Sequence, residues 1–326
     1  MKRLALLTAA VLAATFAAAP ADAAKVRIGY WNSGASIGFG AFLKSGQFLE
    51  KQGLEVEYVT FPDVNAPTKA IAAGAIDFAI GASAGGSLSI AAQGLPVSIV
   101  LATQVAELNF VVLEDSPITS MEELKGKTIG MSPAGSATAA ITASILAKNY
   151  GINPDDYKMA PGNDTRLAQF LGQKEIDAAS LRTVTLALLP DLKVRTLSTF
   201  RKEWTKITGK DAPPTLAVGL MNNEWLKANP EAAAKAIAGM RNAFEAGKAD
   251  KDAVAKALME AGNIKEKNAK AYAALWDGIY TVSMDPATIQ SLKTEFEVFK
   301  SVGVVKGDLP DSALNPAPYE ASKAFK

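Results

Sequence analysis

The 326-residue chain contains no histidine and no cysteine. Without cysteine there are no disulfides, no thiolate nucleophile and no thiolate-ligated metal. Without histidine the commonest general base and the usual zinc ligand are gone. Carboxylate metal sites and lysine or serine nucleophiles stay open on composition alone. An excess of one charge is lacking too, since the formal net charge is +1. That balance gives no electrostatic handle for nucleic acid or an anionic membrane. Past the N-terminus, no apolar run reaches the ~20 residues that a spanning helix needs.

The N-terminus has the pattern of an export signal. Lys2 and Arg3 precede an almost wholly apolar run, Leu4 to Ala19, and Ala21-x-Ala23 offers a small-x-small cleavage site. The expected cut follows Ala23. No cysteine follows it, which excludes a lipid-anchored lipoprotein. The mature protein is expected to be exported, with no stable membrane insertion.

The body alternates strand-like and helix-like runs, the rhythm of a mostly parallel sheet covered by helices. KVRIGY, EVEYVTF, IDFAIG and VSIVLAT are the first strand candidates. The rhythm then repeats. Ile28-Gly29 corresponds to Ile129-Gly130, Gly53 to Gly151, and Ile76-Asp77 to Ile176-Asp177, at nearly one constant separation. Two related α/β lobes of about 100 residues are expected, within the roughly 100–200 residues typical of a domain. From Pro213 onward one strand candidate, TLAVGLM, precedes several helical runs. This block lacks its own sheet and is expected to fold back on the first lobe. The expected boundaries are 1–23 for the signal, 24–105 with 215–326 for lobe I, and 106–214 for lobe II. Segments near NFVVLED and TLAVGLM would carry the two crossings, which is hinge geometry.

One junction raises the question of a site. In KTIGMSPAGSAT a strand stops at Pro133 and a helix-like run starts after Gly-Ser-Ala-Thr. Phosphate loops are similar but carry Gly-Lys-Ser/Thr, and this one has no lysine. Three other turns share its small polar character: WNSGASIG, SAGGS and SLRTVT. In parallel α/β sheets ligands sit at the carboxyl ends of strands, where helix N-termini point. Two facing lobes would bring the four turns to one cleft, where free N–H groups and helix dipoles favour an anion. The candidate ligand-binding residues are Trp31, Asn32, Ser33, Ser36, Ser83, Gly85, Gly135, Ser136, Thr138 and Arg182. Ser83, Ser136 and Thr138 also suit helix capping. Trp31 suits packing or shielding a solute. Arg182 would offer a guanidinium fork to a carboxylate, sulfonate or phosphonate. On the other side of such a solute, Ser83 and Gly85 would be neutral donors. If Arg182 lines an open cleft, its removal should barely affect folding. Asp77 and Asp177 sit at strand starts, away from the cleft, and no catalytic residue is expected.

EELKGKTIG followed by GSAT, with AGAIDFAIG before it and the signal ahead, resembles the periplasmic substrate-binding proteins of ABC importers. The group it resembles serves nitrate, aliphatic sulfonates, taurine and related solutes, and includes binders of thiamine pyrimidine precursors. The likeness covers most of the mature chain, including the tail NPAPYEASKAF. It implies a two-lobed fold of the type II class that closes on a small-molecule solute and delivers it to a membrane permease. The family's binding positions fall on Trp31 to Ser36, Ser83 to Gly86, Gly135 to Thr138 and the turn at Arg182. Nitrate-type members use a pocket histidine, and this chain departs from them there. A periplasmic monomer without a cofactor is the resulting expectation. A binder of a heterocyclic or aromatic solute, a solute-loaded receptor for a membrane sensor, and an enzyme on the same scaffold are the alternatives.

Overall fold

A computed structural model describes residues 24–262 and 264–326. The expected export signal and its cleavage site lie outside the described residues. The chain forms two sheets, each covered by helices.

The first sheet contains β1 (Ala24–Trp31), β2 (Leu54–Phe61), β3 (Phe78–Ser83) and β4 (Val97–Val105). The second contains β5 (Leu108–Leu113), β6 (Thr128–Met131), β7 (Lys158–Pro161), β8 (Ala178–Arg182) and β9 (Val194–Thr199). The chain then returns to the first sheet with β10 (Thr215–Asn222) and β11 (Tyr280–Ser283). The strand orders are β2-β1-β3-β10-β4-β11 and β7-β6-β8-β5-β9. Each sheet has a parallel core, β2-β1-β3 or β7-β6-β8. Each has one antiparallel strand inserted beside it, β10 or β5. That strand has always just arrived from the other lobe. The crossings are the short segments immediately before β5 and β10, as the hinge expectation requires. The returning block has no sheet of its own and contributes β10 and β11 to the first, on which it packs.

The first lobe carries helices α1 (Gly34–Ser45), α2 (Ala66–Ala72) and α3 (Ala84–Ala92). The second carries α4 (Ala137–Tyr150), α5 (Asp164–Gly172), α6 (Thr183–Leu188) and α7 (Phe200–Thr208). The returning block adds α8 (Asn223–Ala228), α9 (Pro230–Ala249), α10 (Lys251–Gly262), α11 (Glu266–Ala274), α12 (Trp276–Ile279), α13 (Pro286–Ser301) and α14 (Ala317–Ser322). Pro230 and Pro286 start their helices, where the missing N–H costs nothing. The apolar face of α1 meets the returning block in an aromatic cluster: Phe39 stacks on Trp276 at 5.6 Å, and Trp276 lies 4.4 Å from Tyr280. Among the described residues, no helix is long and apolar enough to cross a membrane.

The sequence repeat has a physical cause. A Cβ on Gly29 would fall 2.2 Å from Ile76, and one on Gly130 would fall 2.5 Å from Ile176. Each glycine gives way to the isoleucine two residues before the neighbouring strand. Gly53 and Gly151 both end a helical turn in the left-handed region, at φ 78° and 66°, which glycine adopts at no steric cost. The carboxylate of Asp77 accepts the Arg27 amide at 2.8 Å, and that of Asp177 accepts the Thr128 amide at 2.7 Å. Each acid, just before its own strand, ties that strand to the adjacent one, β3 to β1 and β8 to β6. Asp77 also pairs with the Arg27 guanidinium at 2.7 Å.

The two crossings are tied together. The Ala106 amide donates to the Pro214 carbonyl at 2.8 Å. The Thr183 amide and hydroxyl both donate to the Glu107 carbonyl, at 3.0 and 3.1 Å. Arg201 of α7 pairs with Glu107 at 3.1 Å and with Asp211 at 3.6 Å. Across the seam, Trp204 of α7 meets Phe299 of α13 at 6.1 Å.

Candidate functional site

Each parallel strand delivers the chain at its carboxyl end to a turn and then a helix. α1 begins after Ser33, α3 after Ser83, α4 after Ser136 and α6 after Arg182. The Ser83 side chain accepts the Gly86 amide at 3.2 Å, and the Ser136 side chain accepts the Ala139 amide at 3.1 Å. Both serines therefore cap their helices and also face the seam between the lobes. Gly135, at φ 85°, turns the chain sharply into α4.

The lobes meet in a narrow cavity of about 20 Å³. Trp31, Ser36, Ser83, Ser136, Thr138 and Arg182 all line it, with Val64, Gly81, Gln104, Ala137, Leu216 and Ala217. Gly85 and Gly135 are outside this lining but lie on the seam itself. A Cβ on Gly85 would be 3.4 Å from Ala137 Cα, and the Gly135 carbonyl accepts the Ser83 hydroxyl at 3.3 Å. Asn32 and Ser33 do not line the cavity. Asn32 is exposed and its backbone N–H donates to the Phe61 carbonyl, and the Ser33 side chain makes no capping bond. At about one water's worth of space, the cavity admits an organic solute only when the lobes move apart.

Arg182 is the charged member of the lining. It is 4% exposed, and its Nη1 pairs with the equally buried carboxylate of Asp164. Asp164 also accepts the Thr185 hydroxyl at 2.6 Å and the Arg182 amide at 3.3 Å. Nη2 of Arg182 donates to the Thr138 hydroxyl at 3.3 Å. The guanidinium carbon lies 5.1 Å from the Trp31 ring centroid, within cation–π range. The indole N–H of Trp31 is held in turn by the Pro62 carbonyl at 3.3 Å. So Arg182 is fixed on three sides, with guanidinium N–H groups left over. This corrects the expectation that its removal would leave folding untouched, because Asp164 would then be buried without its counter-ion.

The first lobe supplies neutral groups. Gln104 donates to the Ser36 hydroxyl at 3.2 Å. Tyr272 donates to the Gly34 carbonyl at 3.0 Å and meets the Tyr280 hydroxyl at 2.9 Å, and Tyr280 donates to the Ala35 carbonyl. Burial pushes both phenols above their ordinary range, so they stay neutral and pin the start of α1.

Sequence reading missed Asp164 and Gln104. It placed two turns of each lobe at the cleft, whereas a third turn of each lobe also serves the site. The third follows the outer strand: Pro62 to Asn65 after β2, and Gly162 to Asp164 after β7. In the first lobe it brings Val64 to the cavity, and the Asn65 side chain donates to the Ala134 carbonyl across the seam at 3.0 Å. In the second lobe it brings Asp164 against Arg182, behind the cavity lining. The signal was the repeat itself: FPDVNAPT and APGNDT occupy matching places in the two halves. Among the described residues, no group of three or more acidic side chains is placed to hold a metal ion.

The NMT1/THI5-like family profile matches residues 43–254. The alkanesulfonate-binding protein SsuA from Xanthomonas axonopodis pv. citri, bound to MOPS, superposes with a TM-score of 0.74 at 18% identity, over 91% of this chain and 98% of that one. The periplasmic aliphatic sulphonate-binding protein SsuA from Escherichia coli gives 0.72 at 18% identity, over 90% and 92%. The desulfurization enzyme DSZB also shares the fold, with a TM-score of 0.62 at 12% identity, over 93% and 100%. At these identities the likeness is one of fold, that of the periplasmic binding proteins. A Brucella abortus (strain 2308) protein whose name calls it a binding protein is 30% identical over 172 residues. The match covers 52% of each chain, so the chain spans about half the length of the curated relatives it matches.

Proposed function

Since the chain belongs to the NMT1/THI5-like family, we propose that it is an exported solute-binding protein that captures a small organic anion between its lobes and passes it to an ABC importer permease. One observation carries this reading: turns from both lobes converge on one seam whose charged lining group is Arg182. Its spare N–H groups would take a sulfonate, carboxylate or phosphonate. Hydroxyls of Ser36, Ser83, Ser136 and Thr138 would complete the head-group site, and Val64, Leu216 and Ala217 would face the organic remainder. Stacking of a heterocycle on Trp31 is less favoured, because Arg182 already covers one face of that ring. Lobe I would be residues 24–105 with 215–326, and lobe II residues 106–214. The protein would work as a periplasmic monomer after cleavage behind Ala23, without catalysis.

Thermal unfolding against a panel of aliphatic sulfonates, carboxylates and phosphonates tests the proposal. A true solute at one hundred times its Kd should stabilise by about 2.7 kcal/mol. No shift from any panel member at millimolar concentration would refute it.

A further inference from the structure

Glu295 has no part in the cavity, yet it sits where the two lobes and the hinge meet. Helix α13, which carries it, packs on α3 and β10 of the first lobe and on α4 of the second. The side chain is fully buried. One carboxyl oxygen accepts the Thr215 amide at 2.8 Å and the Ser291 hydroxyl at 3.3 Å. The other oxygen has no partner among the described residues. Thr215 is the first residue of β10, directly after the crossing, and its neighbour Pro214 accepts the amide of Ala106 from the other crossing. A carboxyl group therefore holds the hinge strand by its first amide, in an apolar junction that both lobes build.

Among the described residues no cation compensates it. β10 and α3 carry no charged residue at all. From α4, Lys148 lines an outer groove of about 430 Å³ together with Lys293 and Glu297 of α13. On α7, Glu203 is held by Ser198, Tyr150, Asn149 and Lys206. Of that helix's other charges, Arg201 pairs with Glu107 and Asp211 of the crossings, and Lys202 is exposed. A buried carboxylate with an orphan oxygen and no cation is costly, whereas the protonated acid is not.

We propose that Glu295 is a proton-binding site coupled to lobe movement: bringing the lobes together takes up a proton there, and parting them releases it. Burial pushes this carboxyl up to about 7, against the downward pull of the Thr215 and Ser291 hydrogen bonds. Parting the lobes takes α4 off α13 and lets water reach the junction, which moves the group back toward its ordinary range. The closed form binds the proton more tightly, so closure is favoured in acid. The closure constant then falls up to tenfold per pH unit as pH rises toward about 7, and stays flat above it. With no histidine in the chain, no imidazole titrates over this range.

The absence of cysteine makes the test simple. Lys69→Cys and Lys158→Cys place one spin label on an exposed position of each lobe. Interlobe distances are measured from pH 5.5 to 8.5, with no solute present. This makes the outcome independent of whether the protein binds an organic anion. The short-distance population should shrink as pH rises to about 7 and then hold constant. Glu295→Gln should keep the acid-form distribution at every pH. If that variant does not fold, Glu295→Met, uncharged and of similar length, takes its place. A pH-independent distribution in the parent, or the same pH profile in parent and variant, would overturn the proposal.

Discussion

Arg182→Ala is expected to lower thermal stability severely, and not only to weaken a solute. The substitution leaves the Asp164 carboxylate inside the protein with two neutral donors and no cation. Breaking a buried ion pair in this way costs about 3–5 kcal/mol. For a chain of this size that is a fall in melting temperature of roughly 5–8 °C. Arg182→Lys should recover part of the stability but little of the geometry, because an ammonium cannot reach Asp164 and Thr138 as one planar fork. The double variant Arg182→Gln with Asp164→Asn removes both charges together, and should be more stable than Arg182→Ala alone. Thermal unfolding of the parent, Arg182→Gln, Asp164→Asn and the double variant gives the coupling directly. Equal stability of Arg182→Ala and the parent would mean that the pair is not the buried unit described above.

Gly86→Ala is expected to do the opposite, leaving the fold intact and weakening capture. Gly86 lies in the first turn of α3, where alanine is compatible and a better helix former. A Cβ there would sit 2.8 Å from the Gly135 carbonyl oxygen of the facing lobe. Each lobe can accept the methyl group alone, but the closed seam cannot. Overpacking of this kind costs about 1–3 kcal/mol. Affinity for a solute identified by thermal shift should therefore fall roughly ten- to a hundredfold. Small-angle scattering should show a larger radius of gyration for the solute-saturated variant than for the saturated parent. Unchanged affinity would show that capture does not require this seam to close.

The architecture was legible because the chain says the same thing twice. Gly29 with Ile76 and Gly130 with Ile176 are steric partners, so selection on packing leaves the same residues in both halves. The small strands were harder. β7, β9 and β11 are short or half exposed, and β11 hides behind α11 and α12, where Trp276 and Tyr272 look like any other core of a helix. The four small-residue turns pointed to the cleft because helix starts and ligand sites draw on the same residue types. What they could not reveal was pairing. Nothing in SLRTVT says that Arg182 already has a carboxylate, since its partner comes from a turn eighteen residues earlier. Glu295 was equally silent: one acid in a helix full of charges, distinguished only by the direction in which it points.

Hydrogen exchange with and without saturating solute tests the central claim most directly. If the solute lies between the lobes, protection should rise together in residues 31–38 and 83–87 of one lobe and 133–139 and 180–185 of the other. Protection confined to one lobe, or to a second groove of about 780 Å³ lined by Leu188, Pro190 and Lys267, would contradict capture at the seam.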